Sequence, residues 1–127
     1  MYNVSCMTSQ RTYDLGKEGE IIACNFLKQH GFSIINQNWR IGKLGEIDII
    51  AKDNNTNELT FIEVKSRVTS IDDAKELITK KKKSQLYKLA KNYLFLKKIN
   101  DCACRFDVIA IKINKSSKAL EHIKNAF

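Results

Sequence analysis

Two β-patterned runs facing each other across a polar turn constrain this chain more than anything else in its sequence. Glu46–Ala51 and Leu59–Arg67 read as strands, and the intervening Lys52-Asp53-Asn54-Asn55-Thr56-Asn57 is turn-forming, so the two should pair as a hairpin. The two-residue period of a strand sorts their side chains. Glu46 and Asp48 fall on one face with Ile47 and Ile49 on the other, while Leu59, Phe61, Glu63 and Lys65 share a face. A turn symmetric about Asn55 and Thr56 sets Asp48 opposite Glu63 and Glu46 opposite Lys65. A slip of two residues would keep the faces and change the partners.

Carboxylates directly opposed across a strand pair repel and weaken the sheet unless something neutralises them. A divalent cation does so, and a dense set of hard oxygen ligands suits Mg²⁺. Lys65 on the same face can orient or deprotonate an attacking water, or offset charge developing on a phosphate. The competing reading is an exposed sheet face carrying charge pairs such as Glu46–Lys65.

Glu20 favours the site reading. A helix is expected from about Asp14 to His30, capped by Asp14 and stopped by Gly31. Its apolar stripe is Ala23, Phe26 and Leu27, and at 100° per residue Glu20 falls between Leu27 and Cys24. That places a carboxylate at the edge facing the core. Beyond this helix, Phe32–Arg40 reads as a strand followed by a turn at Gly42–Gly45. A helical region runs from about Asp72 to Lys98, with an interruption near Thr79, and Arg105–Ile113 reads as a further strand. Leu86, Leu89, Ala90, Tyr93 and Leu94 give that helical region its apolar face. The order α-β-β-β-α-β describes an α/β chain, a mixed sheet flanked by helices.

Asp48 followed after fourteen residues by Glu63-Val64-Lys65 resembles the PD-(D/E)xK signature of the restriction-endonuclease-like nucleases. A longer string is more specific: Gly16-Lys17-Glu18-Gly19-Glu20, Asn38-Trp39-Arg40, Gly45-Glu46-Ile47-Asp48, Phe61-Ile62-Glu63-Val64-Lys65-Ser66-Arg67 and Arg105-Phe106-Asp107-Val108. In this order and spacing it resembles the YraN family of small bacterial proteins over about residues 13–112. The resemblance implies a restriction-endonuclease-like αβββαβ core similar to archaeal Holliday-junction resolvases. It implies catalytic positions at Glu20, Asp48, Glu63 and Lys65. Metal ligation would fall to Asp48, Glu63 and Glu20, with Glu46 a weaker member. On this reading residues 1–12 are a flexible extension, 13–113 the endonuclease-like domain and 114–127 a polar tail.

The resemblance makes Mg²⁺, or Mn²⁺ in its place, the expected cofactor. The expected function is hydrolysis of phosphodiester bonds in DNA, with branched or structured DNA in repair or recombination as a candidate substrate. The alternative is the same fold binding nucleic acid without cleaving it. Similar resolvases act on two-fold symmetric junctions as dimers, which makes a homodimer an expectation by analogy. A net charge of +8, from 22 basic and 14 acidic residues, agrees with a polyanionic partner. Candidate phosphate contacts are Arg40, Ser66, Arg67, Arg105 and Lys82, although Arg105 could equally pair with Asp107. Most of the run Lys80–Lys83 reads as a solvated face, but Lys82 projects toward the stripe of Leu86, Leu89 and Tyr93.

Other features narrow the class. No apolar run approaches the roughly 18 residues of a membrane span, and Met1–Gln10 lacks the pattern of a secretory signal. The expectation is a cytoplasmic protein without a membrane partner. Cys6, Cys24, Cys102 and Cys104 show no CxxC spacing and read as reduced structural thiols. Trp39 reads as packing, and His30 and His122 carry no catalytic signal.

Overall fold

A computed structural model describes residues 8–66, 78–113 and 117–127, with side chains from Lys17 onward. Helix α1 spans Thr8–Gln29 and is followed by β1 (Phe32–Ile41), β2 (Gly45–Asp53) and β3 (Glu58–Ser66). Helix α2 (Lys80–Leu96), β4 (Cys104–Ile113) and β5 (Lys118–Ile123) complete the order. The five strands form one sheet in sequence order. All neighbours are antiparallel except β3 and β4, which run parallel as the α2 crossover requires. This is the expected αβββαβ core with one strand added.

Each helix buries its own stripe on its own face of the sheet. Ala23, Cys24 and Leu27 of α1 pack on Phe32, Ile49, Ala51, Ile62, Ile109 and Ile111. Leu86, Leu89, Ala90 and Tyr93 of α2 pack on Ile47, Ile50, Leu59 and Phe61 on the other face. Each large aliphatic side chain so buried contributes about 1.5–3 kcal/mol. Trp39 supports the α2 side, edge-on to Tyr93 with ring centroids 5.1 Å apart. Among the described residues no helix is long and apolar enough to cross a membrane.

Two boundaries differ from the sequence expectation, and one falls where it was expected. Helix α1 begins at Thr8 and not at Asp14, so residues 8–12 are helical and Asp14 is not its cap. No proline or glycine lies between Thr8 and Leu15 to stop the helix there. The expected break near Thr79 is where α2 begins, its side chain accepting from the Lys82 N–H as the cap, and residues 72–77 of the expected helical region lie outside the described residues. Residues 118–123, expected within a polar tail, form β5 along the edge of β4. Leu120 in that strand packs on the α1-side core.

The β2–β3 hairpin has the expected register, with Asp53 opposite Glu58 and Ile49 opposite Ile62. The strand pairing stops there, one step short of Asp48 and Glu63. Strict alternation also fails at this point. Ile47 belongs to the α2-side core and Ile49 to the α1-side core, so they do not share a face. Asn38, next to this stretch on β1, adopts φ +51°. A residue in the left-handed region re-aims the strand, and asparagine tolerates it better than most. The sheet therefore opens where the carboxylates lie.

Candidate metal centre

Glycine delivers the helix carboxylate. A Cβ on Gly19 would lie 2.8 Å from the Ser66 Cβ, so only glycine lets α1 sit this close to the end of β3. The close approach sets Glu20 against β1 and β2. Ser66, expected to touch phosphate, is the residue packed beneath this crossing. On the other side, Gly45 at φ +135° leaves room for the Gln85 amide, which donates to the Leu44 carbonyl and docks α2 on the β1–β2 turn.

One oxygen each from Glu20, Glu46 and Asp48 lies within 4.8 Å of the others. Asn38 ties two of them together. Its amide donates to both Glu20 oxygens at 3.0 and 3.1 Å and to Glu46 Oε2 at 3.2 Å, while its carbonyl accepts from Lys17 Nζ at 3.2 Å. Glu46 thus joins Glu20 on the α1 side, which the twist between Ile47 and Ile49 allows. It does not lie opposite Lys65 in a paired ladder. Arg40 is 66% exposed and reaches Glu46 at 3.9 Å, at the mouth of the cluster.

Asp48 occupies the break in the ladder. Its Oδ2 accepts the Val64 N–H at 2.9 Å, taking the place of a main-chain partner. Burial, then the negative charge of Glu63, push its carboxyl up to about 8 despite that N–H, and the charge of Glu20 adds to the rise. Glu63 is 6% exposed, and its Oε1 is buried with no hydrogen-bond partner among the described residues. Its other oxygen lies 3.5 Å from Lys65 Nζ and 3.8 Å from Lys82 Nζ. Lys82 does project to the site, from the first turn of α2.

The donor set fits a divalent cation. An orphaned buried carboxylate oxygen costs about 1–3 kcal/mol, more when it is charged, unless something supplies positive charge. The ligands available are all oxygen, which suits Mg²⁺ or Mn²⁺ over softer metals. Glu20, Glu46 and Asp48 would hold the ion, with Asn38 fixing the first two from behind and Glu63 beside Asp48.

The structure does not bring Arg105 to this site. It is 7% exposed and engages Asp53 at 3.0 Å, Glu58 at 2.9 Å and Asp107 at 2.8 Å at the opposite end of the same strands. A guanidinium committed to three carboxylates has no free fork for phosphate. Arg67 lies outside the described residues. Asn38 and Lys17 are the members that residue patterns missed. A polar asparagine inside a β-rich run was the available signal for the first.

The sequence matches the profile described as uncharacterised protein family UPF0102, which is the YraN family, over residues 19–111. A UPF0102 protein of Geotalea daltonii is 47% identical over 115 residues, covering 89% of this chain and 88% of its own. One from Clostridium botulinum is 45% identical over 118 residues, covering 90% and 94%. One from Chlorobium phaeobacteroides is 42% identical, covering 89% and 92%. Among solved structures, Pyrococcus furiosus SfsA in complex with Ca²⁺ matches with a TM-score of 0.34 and 16% identity. That match takes in 89% of this chain, which spans 63% of the SfsA chain.

Proposed function

The chain belongs to the UPF0102 family, and on that premise we propose that it is a Mg²⁺-dependent nuclease hydrolysing phosphodiester bonds in DNA. Branched or otherwise structured DNA is the candidate substrate. The observation that carries the proposal is the buried Asp48–Glu63 pair at a break in the sheet, with one orphaned oxygen and Lys65 beside it. Asp53 Oδ2 at the turn end also lacks a hydrogen bond, but it has the Arg105 guanidinium at 3.0 Å, whereas among the described residues no cation reaches Glu63 Oε1.

When bound, Mg²⁺ would polarise the phosphate and favour ionisation of water. The chain's own residues do the remainder. Lys65, 29% exposed, offers its ammonium to the attacking water and to charge developing on the phosphate. Lys82 adds a second positive charge beside Glu63. Arg40 stands at the mouth, where a flanking phosphate can meet it. Water attacks phosphorus and the P–O bond breaks, leaving one phosphate end and one hydroxyl end.

A second reading has its own support. Two lysines on Glu63 offset part of the cluster's charge without any metal, as in a module that binds nucleic acid and does not cut it. Cleavage separates the two. The purified chain, given linear, flapped and four-way DNA with Mg²⁺ or Mn²⁺, is expected to cut at least one. Asp48→Ala and Lys65→Ala should each reduce cleavage by about 10²–10⁴-fold. Cleavage that survives both substitutions would refute the assignment.

A further inference from the structure

We infer that the groove between α2 and the β1–β2 turn carries the sugar–phosphate backbone on one side of the carboxylate site, recognising its charge and not its bases. The inference rests on the nuclease reading and adds where the strand lies. The groove has a volume of about 580 Å³ and is lined by Lys43 and Leu44 from the turn and by Lys81, Lys82, Gln85 and Lys88 from α2. Among the described residues that line it, none is acidic and none is aromatic.

Its floor and its position both follow from the fold. Lys81, Gln85 and Lys88 lie at i, i+4 and i+7 and therefore form one stripe along the helix. The stripe is about 10 Å long at 1.5 Å per residue. Gly45 and Gln85 pin α2 against the turn that presents Lys43. Lys82 lines the groove and lies 3.8 Å from Glu63, so the groove opens on the carboxylate cluster.

Charge indicates the occupant. Lys82 pairs with Glu63, but Lys43, Lys81 and Lys88 have no carboxylate partner among the described residues. Uncompensated ammonium groups along one wall raise the local potential and concentrate a polyanion. Stacking on bases calls for aromatic side chains, which this lining lacks. Backbone phosphates are the ligand that matches both facts, and such contacts carry no sequence information.

The test uses the full chain in EDTA, so that no cleavage occurs. Labelled oligo(dT), a mixed-sequence single strand and a mixed-sequence duplex, each of about 20 residues per strand, are titrated at several salt concentrations. The slope of log K against log salt reports the phosphates engaged, at about 0.7 per phosphate for single strands and about 0.9 for duplex. The variant Lys43→Gln/Lys81→Gln/Lys88→Gln should bind about 10–100-fold more weakly at low salt, with a slope shallower by about 2. Its calorimetric Mn²⁺ titration should match wild type, which shows that the carboxylate site is intact. A charge-matched control, Lys52→Gln/Lys97→Gln/Lys98→Gln, should lose far less.

Equal losses in the two triple variants, or no loss in the first, would overturn the groove while leaving the nuclease reading standing. A wild-type preference of more than about tenfold between the two single strands would contradict a charge-reading groove. Wild type that binds none of the three probes would overturn the groove, while the cleavage panel decides the nuclease reading separately.

Discussion

The hairpin carries an aspartate–glutamate pair at each of its ends, and the two pairs meet opposite fates. Asp53 and Glu58 face each other at the turn end; Asp48 and Glu63 occupy the same diagonal five residues further along each strand. At the turn end Arg105 sits among Asp53, Glu58 and Asp107, all within 3.0 Å. His122 Nε2 and the Asn125 N–H complete the shell of Asp107 at 2.7 and 2.9 Å. Burial alone would raise the Asp107 carboxyl, but His122, Arg105 and the Asn125 N–H hold it below its ordinary value. At the other end burial and Glu63 push Asp48 up to about 8.

The difference shows how similar residue pairs serve stability in one place and chemistry in another. The turn-end pair is closed, because its charges are answered by groups of the chain itself. The site pair is open: the ladder has parted, and among the described residues one Glu63 oxygen is orphaned and the nearest cations are two partly exposed lysines. Chains tolerate such a cost where a ligand relieves it.

Removing the cation that closes the turn end should give the largest effect. Arg105→Met leaves buried carboxylates uncompensated and should cost about 3–5 kcal/mol in urea unfolding. A loss below about 1 kcal/mol would mean the two ends are less different than their geometry implies. The fold should depend on acid in the same place. Asp107 is depressed when folded, so its stabilisation is present above its ordinary value of 3.8 and is lost as pH falls below it.

Asn38 tests the open end from behind. Asn38→Ala frees Glu20 and Glu46 from a shared donor, so Mn²⁺ affinity should fall about 10–100-fold while the fold survives. An unchanged affinity would remove Asn38 from the site.

The smallest effect is on stability without metal. Asp48 is raised when folded, so the folded state holds a proton that the unfolded state releases between about pH 4 and pH 8. Stability should therefore decline across that window. Asp48→Asn should gain about 1–3 kcal/mol over wild type at pH 8 in EDTA and little at pH 4. Urea midpoints at the two values check the sign, and a gain confined to low pH would refute it.

Much of this was legible in the residues, and the remainder depended on contacts no local pattern carries. Strand period and turn symmetry gave the hairpin register, and helical phase placed Glu20 at the core-facing edge. Alternation did not foresee the twist between Ile47 and Ile49, beside which Asn38 on the neighbouring strand adopts a positive φ. Arg105 looked equally fit for phosphate or for Asp107. Only the meeting of β2, β3 and β4 brought it two further carboxylates. Strand β5 escaped notice because Lys118, Ala119 and Glu121 point outward, leaving mainly Leu120, His122 and Ile123 as a weak inward signal.

The central claim is that the open end is a cation site, and calorimetric titration of the metal-free chain with Mn²⁺ at pH 7 tests it most directly. Binding at or below about millimolar concentration, accompanied by proton release and abolished by Asp48→Asn, is the expected result. No heat of binding up to about 10 mM, or binding undiminished in Asp48→Asn, would contradict it.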